Sequence, residues 1–376
     1  MDERTSGTRV GGAELSRRWP RLLGVVALVA PLAACGGGGS DPQHAYVVDA
    51  GDGALWQYTL GSGSGALTPM TPASVPAGTG DFQIAVDAAK GFVYVAASGS
   101  SAILQYRMGS GGELAAMNPP GIATGPQSGA GQRTYAIAID PAAPYLYAAS
   151  AADDTITQYR IGAAGALARA ATAVVGVPAT APVDIAIDPS GEHAYVLNEQ
   201  SDCIAQYTIG GAGALQPMTP ACVPTGAFPF RLAIDPTGHY LYATDTGAGE
   251  VSQYTIGTDG RLSPMNPPGV ATGPLPLGIG LDPQGPYVYV ADNGGTTVSQ
   301  YTIGSTGSLA PMRASSAPAG SNPYDVVIDP GGHYALVTNM GSDDVSQYRI
   351  GSGGELTPMD PATVGAGKLP AGIIVP

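Results

Sequence analysis

VSQYTIG stands at residues 251–257 and, unchanged, at 298–304, and VSQYRIG follows at 345–351. The Gln-Tyr pair at its centre recurs at Gln57, Gln105, Gln158, Gln206, Gln253, Gln300 and Gln347, spaced 47 or 48 residues apart with one spacing of 53. A fixed period of this length marks stacked supersecondary units, and seven copies mean seven units. In an extended strand Val251, Gln253 and Thr255 face one way while Ser252, Tyr254 and Ile256 face the other. Neither face is cleanly polar, so both pack against something. A residue kept in every unit belongs to the scaffold, because a ligand site breaks symmetry. The buried tyrosine hydroxyls then need partners, which the recurrent glutamine or a backbone group supplies.

Aligning the units on Gln-Tyr resolves four short strand-like runs in each. The first, such as DIAID at 184–188, is apolar on both faces and calls for cover on both sides. The second appears as YVLN at 195–198, YATD at 242–245, YVAD at 289–292 and LVTN at 336–339. The third is VSQYTI, followed by a Gly-x-x-Gly turn whose glycines permit positive φ. The fourth reads LSPM at 262–265, with relatives beginning at Leu67, Leu215, Leu309 and Leu356. Proline inside a strand is tolerated at an edge, so the fourth run is outermost.

The second run resembles the YVTN repeat of seven-bladed β-propellers, the group that includes propeller-type 6-phosphogluconolactonases, and the resemblance extends over the chain from residue 44 to 376. It implies an all-β fold of seven four-stranded blades. The first repeat opens with a second-type run, HAYVVD at 44–49, and the last residues, GIIVP at 372–376, are a first-type run. Each end is an incomplete blade. Pairing the C-terminal strand with the N-terminal three would close the ring and leave no open seam.

Residues 1–35 read as a leader. Arg17, Arg18 and Arg21 precede the apolar run LLGVVALVAPLAAC, which is short for a membrane span and ends in small residues. Its end, LAAC at 32–35, resembles a bacterial lipobox, which implies acylation of Cys35; a retained transmembrane helix is the alternative. Ser16-Arg17-Arg18 hints at twin-arginine export. Residues 36–43 read as a flexible spacer. The expected address is export and lipid anchoring at the cell envelope, at the outer membrane in a Gram-negative cell because Gly36 follows the cysteine.

Beyond the leader the chain keeps 10 of its 15 basic residues and 26 of its 29 acidic ones, a formal charge near −16. An acidic surface disfavours nucleic acid and anionic lipid as partners. Expected partners are a small molecule or an envelope protein, with membrane contact through the lipid only and a monomeric chain. Cys203 and Cys222 of an exported protein can form a disulfide, or remain two partly buried thiols. Asp87, Asp140, Asp188, Asp235, Asp282 and Asp329 sit in contexts such as DPSG and DPTG and read as turn residues rather than metal ligands. His44, His193, His239 and His333 fall before the second run, at solvated turns on the face away from the usual site. No motif calls for a metal or cofactor.

Symmetry breaks at the opening of the first run, where the aligned residues are Gln83, Ala136, Asp184, Arg231, Gly278, Asp325 and Gly372. Asp81, Arg133 and Lys368 lie in the same loops. Convergent polar groups around a channel mouth are what a small-ligand site needs. The lactonase resemblance implies histidine, arginine and acidic residues near that channel, and Arg231 follows Pro229-Phe230 as an arginine does in lactonase-like motifs. No histidine lies in these loops, so acid/base work would fall to a carboxylate. The leading expectation is a ligand-binding or protein-interaction module, with Gln83, Arg133 and Lys368 contributing to binding. The alternative is a lactonase-like hydrolase of a small sugar lactone using Arg231, Asp184 and Asp325.

Overall fold

In a computed structural model that describes residues 43–124, 134–176 and 178–376, the chain forms seven four-stranded antiparallel sheets arranged as a ring. Cys35, Arg133 and the leader lie outside the described residues. Blade 5 shows the unit: Pro229–Ile234 is innermost, then Tyr240–Asp245, Glu250–Ile256 and, outermost, Leu262–Ala271. Blades 2, 3, 4, 6 and 7 repeat this order over residues 81–123, 134–176, 182–224, 276–318 and 323–365. Blade 1 takes Gln43–Asp49, Ala54–Leu60 and Leu67–Pro76 from the N-terminal side and its innermost strand, Pro370–Ile374, from the C-terminus. Ile373 pairs with Val47 and Ile374 with Tyr46, which closes the ring as the sequence predicts.

The repeated Gln-Tyr pair holds neighbouring blades together. Gln206 Oε1 accepts the backbone N–H of Leu262, the first residue of the next blade's outer strand, at 2.6 Å, while its Nε2 donates to Pro220 O in its own outer strand at 2.9 Å. Gln57, Gln105, Gln253, Gln300 and Gln347 accept from Leu114, Leu167, Leu309, Leu356 and Leu67 in the same way. The adjacent tyrosine reaches back: Tyr254 donates to Pro224 O of the preceding blade at 2.6 Å. The tyrosine of the second strand reaches forward, Tyr195 donating to Gly260 O of the next blade at 2.7 Å. These hydroxyl partners are backbone carbonyls; the glutamine is spent on the outer strands. These tyrosines therefore supply packing area and place their hydroxyls on backbone carbonyls of a neighbouring blade; Tyr207, buried in the same way, has no such partner.

The turn aspartates behave as expected. Asp188 Oδ1 accepts the N–H groups of Glu192 and His193, and Asp235 Oδ1 those of His239 and Tyr240. The histidines divide. His239 and His333 precede the second strand, but His44 and His193 lie within it, at the position that Tyr240 and Tyr334 occupy elsewhere. There the ring packs against a hairpin glycine of the next blade: a side chain at Gly260, whose φ is +76°, would collide with His193. That glycine is required both by its backbone and by the ring beside it. Cys203 and Cys222 form a disulfide with Cα atoms 5.9 Å apart. Cys222 lies inside the outer strand Leu215–Pro224 and pairs with Ala205 while Cys203 pairs with Pro224, so the bridge is diagonal.

Candidate active site at the mouth of the channel

The loops that enter the inner strands and those joining second to third strands share one end of the ring. Each inner strand starts with a register shift, as between Pro229 and Arg231 in blade 5 and between Pro182 and Asp184 in blade 4. A regular strand would send Phe230 and Arg231 to opposite faces; with the shift, both line one cavity. This cavity of about 140 Å³ is bounded by Tyr135, Val183, Glu199, Phe230, Arg231 and Tyr324, drawn from blades 3, 4, 5 and 7.

Arg231 is almost buried, at 7% exposure. Its guanidinium carbon stands 5.4 Å from the Phe230 ring centroid, and Phe230 meets the ring of Tyr324 edge-on at 5.7 Å. Asp184 Oδ1 is 3.7 Å from the guanidinium. Burial disfavours the charged arginine, but the field of Asp184, then of Asp325, outweighs it and holds its pKa above the ordinary value. Burial also pushes both carboxyls up, and Arg231 is the main influence in the other direction. Arg231 is thus a cation with two carboxylates at its back, in a place poor in water.

The two aspartates have a second task. An inner strand exposes its edge to the channel, and its N–H groups need acceptors. Asp184 Oδ2 accepts from Leu232 N of the next blade at 2.7 Å, and Asp325 Oδ2 from Ile373 N of the next blade at 3.3 Å. Gln83 does the same for Ile137 at 2.5 Å, and its Nε2 donates to Asp184 Oδ1 at 2.9 Å, past the intervening blade 3 from blade 2 to blade 4. Ala136 in the intervening blade is small.

Of the residues the sequence singles out, Arg231, Asp184, Asp325 and Gln83 form one connected cluster, but Arg231 alone of these lines the cavity. Asp184, at 2% exposure and with three donors on its oxygens, is placed to orient Arg231 rather than to take a proton from water. Gln83 bears on the cavity through Asp184. Lys368 is exposed in the loop before Pro370, its N–H held by Asp52 Oδ2 at 3.2 Å, and does not line the cavity.

Glu199 is the residue that the sequence reading missed. It follows the last residue of a second strand, and its N–H donates to Ala181 O at 2.9 Å, which fixes it at the mouth. The seven residues at this position are Ala50, Ser98, Ala151, Glu199, Thr246, Asn293 and Met340. Glu199 is the single charge among them, a signal available to an alignment on the second strand instead of the first.

Glu199 and Arg231 give this mouth a carboxylate that can accept a proton and a cation that can hold a developing oxyanion. Among the described residues no group of three or more His, Cys, Asp or Glu is placed to hold a metal ion.

Comparison with known proteins agrees with this architecture. Among solved structures the chain is similar to a candidate 6-phosphogluconolactonase from Bacteroides uniformis (TM-score 0.76, 18% identity, 90% of this chain and 100% of that one). It is also similar to the periplasmic gluconolactonase of Pseudomonas aeruginosa (TM-score 0.72, 17% identity, 89% and 99%). Identities this low establish the shared fold. No curated protein matches the sequence. The family model described as "Lactonase, 7-bladed beta-propeller" matches residues 39–226 and 212–370, nearly the whole of the propeller. The chain belongs to the lactonase family of seven-bladed β-propellers.

Proposed function

We propose that the mouth hydrolyses a small lactone. The observation that carries this reading is that Arg231 and Glu199 line one small cavity, with Asp184 and Asp325 behind the arginine. Family membership supports a lactonase over the binding module expected from sequence. Glu199 takes a proton from water as its oxygen adds to the ring carbonyl, and Arg231 stabilises the resulting oxyanion. The acyl–oxygen bond of the ring then breaks, and the proton passes from Glu199 to the departing ring oxygen, leaving an open-chain hydroxy acid.

The test is disappearance of glucono-δ-lactone against its spontaneous hydrolysis, for the wild type, Arg231→Ala and Glu199→Gln. Turnover lost in both variants supports the assignment; a wild-type rate no faster than background returns the chain to the binding-module reading. The phosphorylated lactone should be a poor substrate. Its dianion needs local positive charge, and in this acidic chain Arg231 is already opposed by two carboxylates.

The address is a further part of the proposal. Cys35 carries the lipid, and Gln43–Asp49 begins at the end of the ring opposite the mouth, so an anchored propeller would present the mouth away from the membrane. Cys35→Ser should yield an uncleaved or soluble precursor; unchanged lipid labelling and membrane fractionation would exclude lipidation there.

A further inference from the structure

The residue before each inner strand is held at positive φ in every described proline-led blade: Ala181, Phe228, Leu275, Asn322 and Leu369 lie between +50° and +59°. Blade 2 uses Gly80 at the same place. Glycine or asparagine suits this conformation, whereas a bulky residue adopts it at a cost of about 1–3 kcal/mol. Three of these positions nevertheless carry large apolar side chains, and those side chains are exposed: Phe228 by 58%, Leu275 by 49% and Leu369 by 46%. They are the exposed large hydrophobics among the described residues, and all three stand at the mouth. Phe228 and Leu275 lie against the loop glycines Gly247 and Gly294, and the backbone disfavours all three side chains. An apolar rim left about half in solvent at a backbone position that disfavours it, set around a candidate site, has the character of a ligand contact.

The cavity inside this rim mixes apolar and polar surface. Tyr135, Phe230 and Tyr324 present aromatic rings and Val183 its isopropyl group, beside the charges of Arg231 and Glu199 and the two tyrosine hydroxyls. A polyhydroxylated lactone needs a donor or acceptor for each hydroxyl, and burying one without a partner costs affinity. Arg231 and Glu199 are committed to the reacting carbonyl and the attacking water, which leaves the hydroxyls of Tyr135 and Tyr324 against the several hydroxyls of such a lactone. Phe228 is two residues before Phe230, so the rim position and the cavity wall belong to one short segment of chain.

We infer that the preferred substrate is a lactone bearing an apolar substituent, its ring carbonyl at Arg231 and its substituent against Phe230 and the Phe228–Leu275 rim. This rests on the lactone-hydrolase reading of the same site and narrows its substrate class. Each methylene removed from water contributes about 0.8 kcal/mol, so partial burial of a five-carbon tail suffices for a tenfold preference, which requires about 1.4 kcal/mol.

The experiment compares two six-membered lactones, glucono-δ-lactone and δ-decalactone, which carries a pentyl tail, with the purified full-length protein. We expect kcat/KM for δ-decalactone to exceed that for glucono-δ-lactone by about tenfold or more. In the Phe228→Gly, Leu275→Gly double variant the KM for δ-decalactone should rise and the preference shrink, while Tm stays level or rises because glycine relieves the positive φ. A preference for glucono-δ-lactone overturns the inference and leaves the lactonase reading standing. Absence of turnover with either lactone overturns both. A double variant with unchanged selectivity, or with a sharply lower Tm, assigns the rim to the fold and overturns its role in binding.

Discussion

Asp184 lies 3.7 Å from the Arg231 guanidinium, yet its shorter contact, 2.7 Å, is with the backbone N–H of Leu232 in the same neighbouring blade. One carboxylate therefore seals an inner-strand edge and steadies the cation at the mouth. Stability and the geometry of the mouth are coupled through it.

Arg231→Ala removes the charge that compensates two desolvated carboxylates. Breaking a buried ion pair from one side costs about 3–5 kcal/mol, and losing an oxyanion-stabilising donor costs about 10²–10³ in kcat. Arg231→Lys should recover part of the stability but little of the activity, because an ammonium lacks the planar fork. Thermal melts and lactone turnover on both variants check this; an unaltered midpoint for Arg231→Ala would show that the carboxylates do not depend on the arginine.

The glutamine contacts make a prediction that ignores the site. Gln206 is fully buried and accepts Leu262 N across a blade boundary. Gln206→Leu leaves that N–H without an acceptor, at a cost of about 1–3 kcal/mol, and should act equally on melting with and without lactone. Chemical denaturation reads the loss, and a neutral substitution would mean that water replaces the glutamine.

Deleting residues 372–376 should lower the melting midpoint sharply. It strips Ile373 and Val375 from the core between blades 1 and 7, and full burial of such a side chain contributes about 1.5–3 kcal/mol. It also bares the inner edge of blade 1 and takes away the Ile373 N–H that Asp325 accepts. A melting curve identical to that of the wild type would exclude the two-ended blade.

Asp245 gives the stability a pH dependence. It ends the second strand of blade 5 fully buried, accepts from Ser252 Oγ at 2.6 Å, and burial raises its pKa from 3.8 to about 7. Between these values the folded state retains a proton that the unfolded chain has released. The contribution of this group to stability therefore falls as pH rises from about 4 to 7, by at most about 1.4 kcal/mol per unit. Asn198 and Asn339 occupy the equivalent position in blades 4 and 7, so Asp245→Asn fits the same space. The variant should melt above the wild type at pH 8 and close to it at pH 5; a gain independent of pH would remove Asp245 as the source.

The architecture of this protein is legible in its chain alone, because a propeller is written locally and written repeatedly. Each Gln-Tyr pair sits in a strand whose neighbours lie within one repeat, and the terminal runs 44–49 and 372–376 can be assigned by type alone. Alignment of the repeats also exposed Arg231, Asp184, Asp325 and Gln83, since a site appears as a departure from symmetry. What each departure does was decided only by the tertiary structure. Asp184 and Arg231 come from neighbouring blades, but Gln83 meets Asp184 from two blades away and Tyr324 meets Phe230 from blade 7, 94 residues on along the chain. Such contacts depend on which blades the closed ring brings together and on the register shift that opens each inner strand, and that shift leaves no local trace. The same holds for Glu199: its type is visible in the sequence, but its place on the cavity wall follows from an N–H that pairs with Ala181 across the loop. Repetition encodes the scaffold residue by residue, whereas the mouth exists only where seven blades converge.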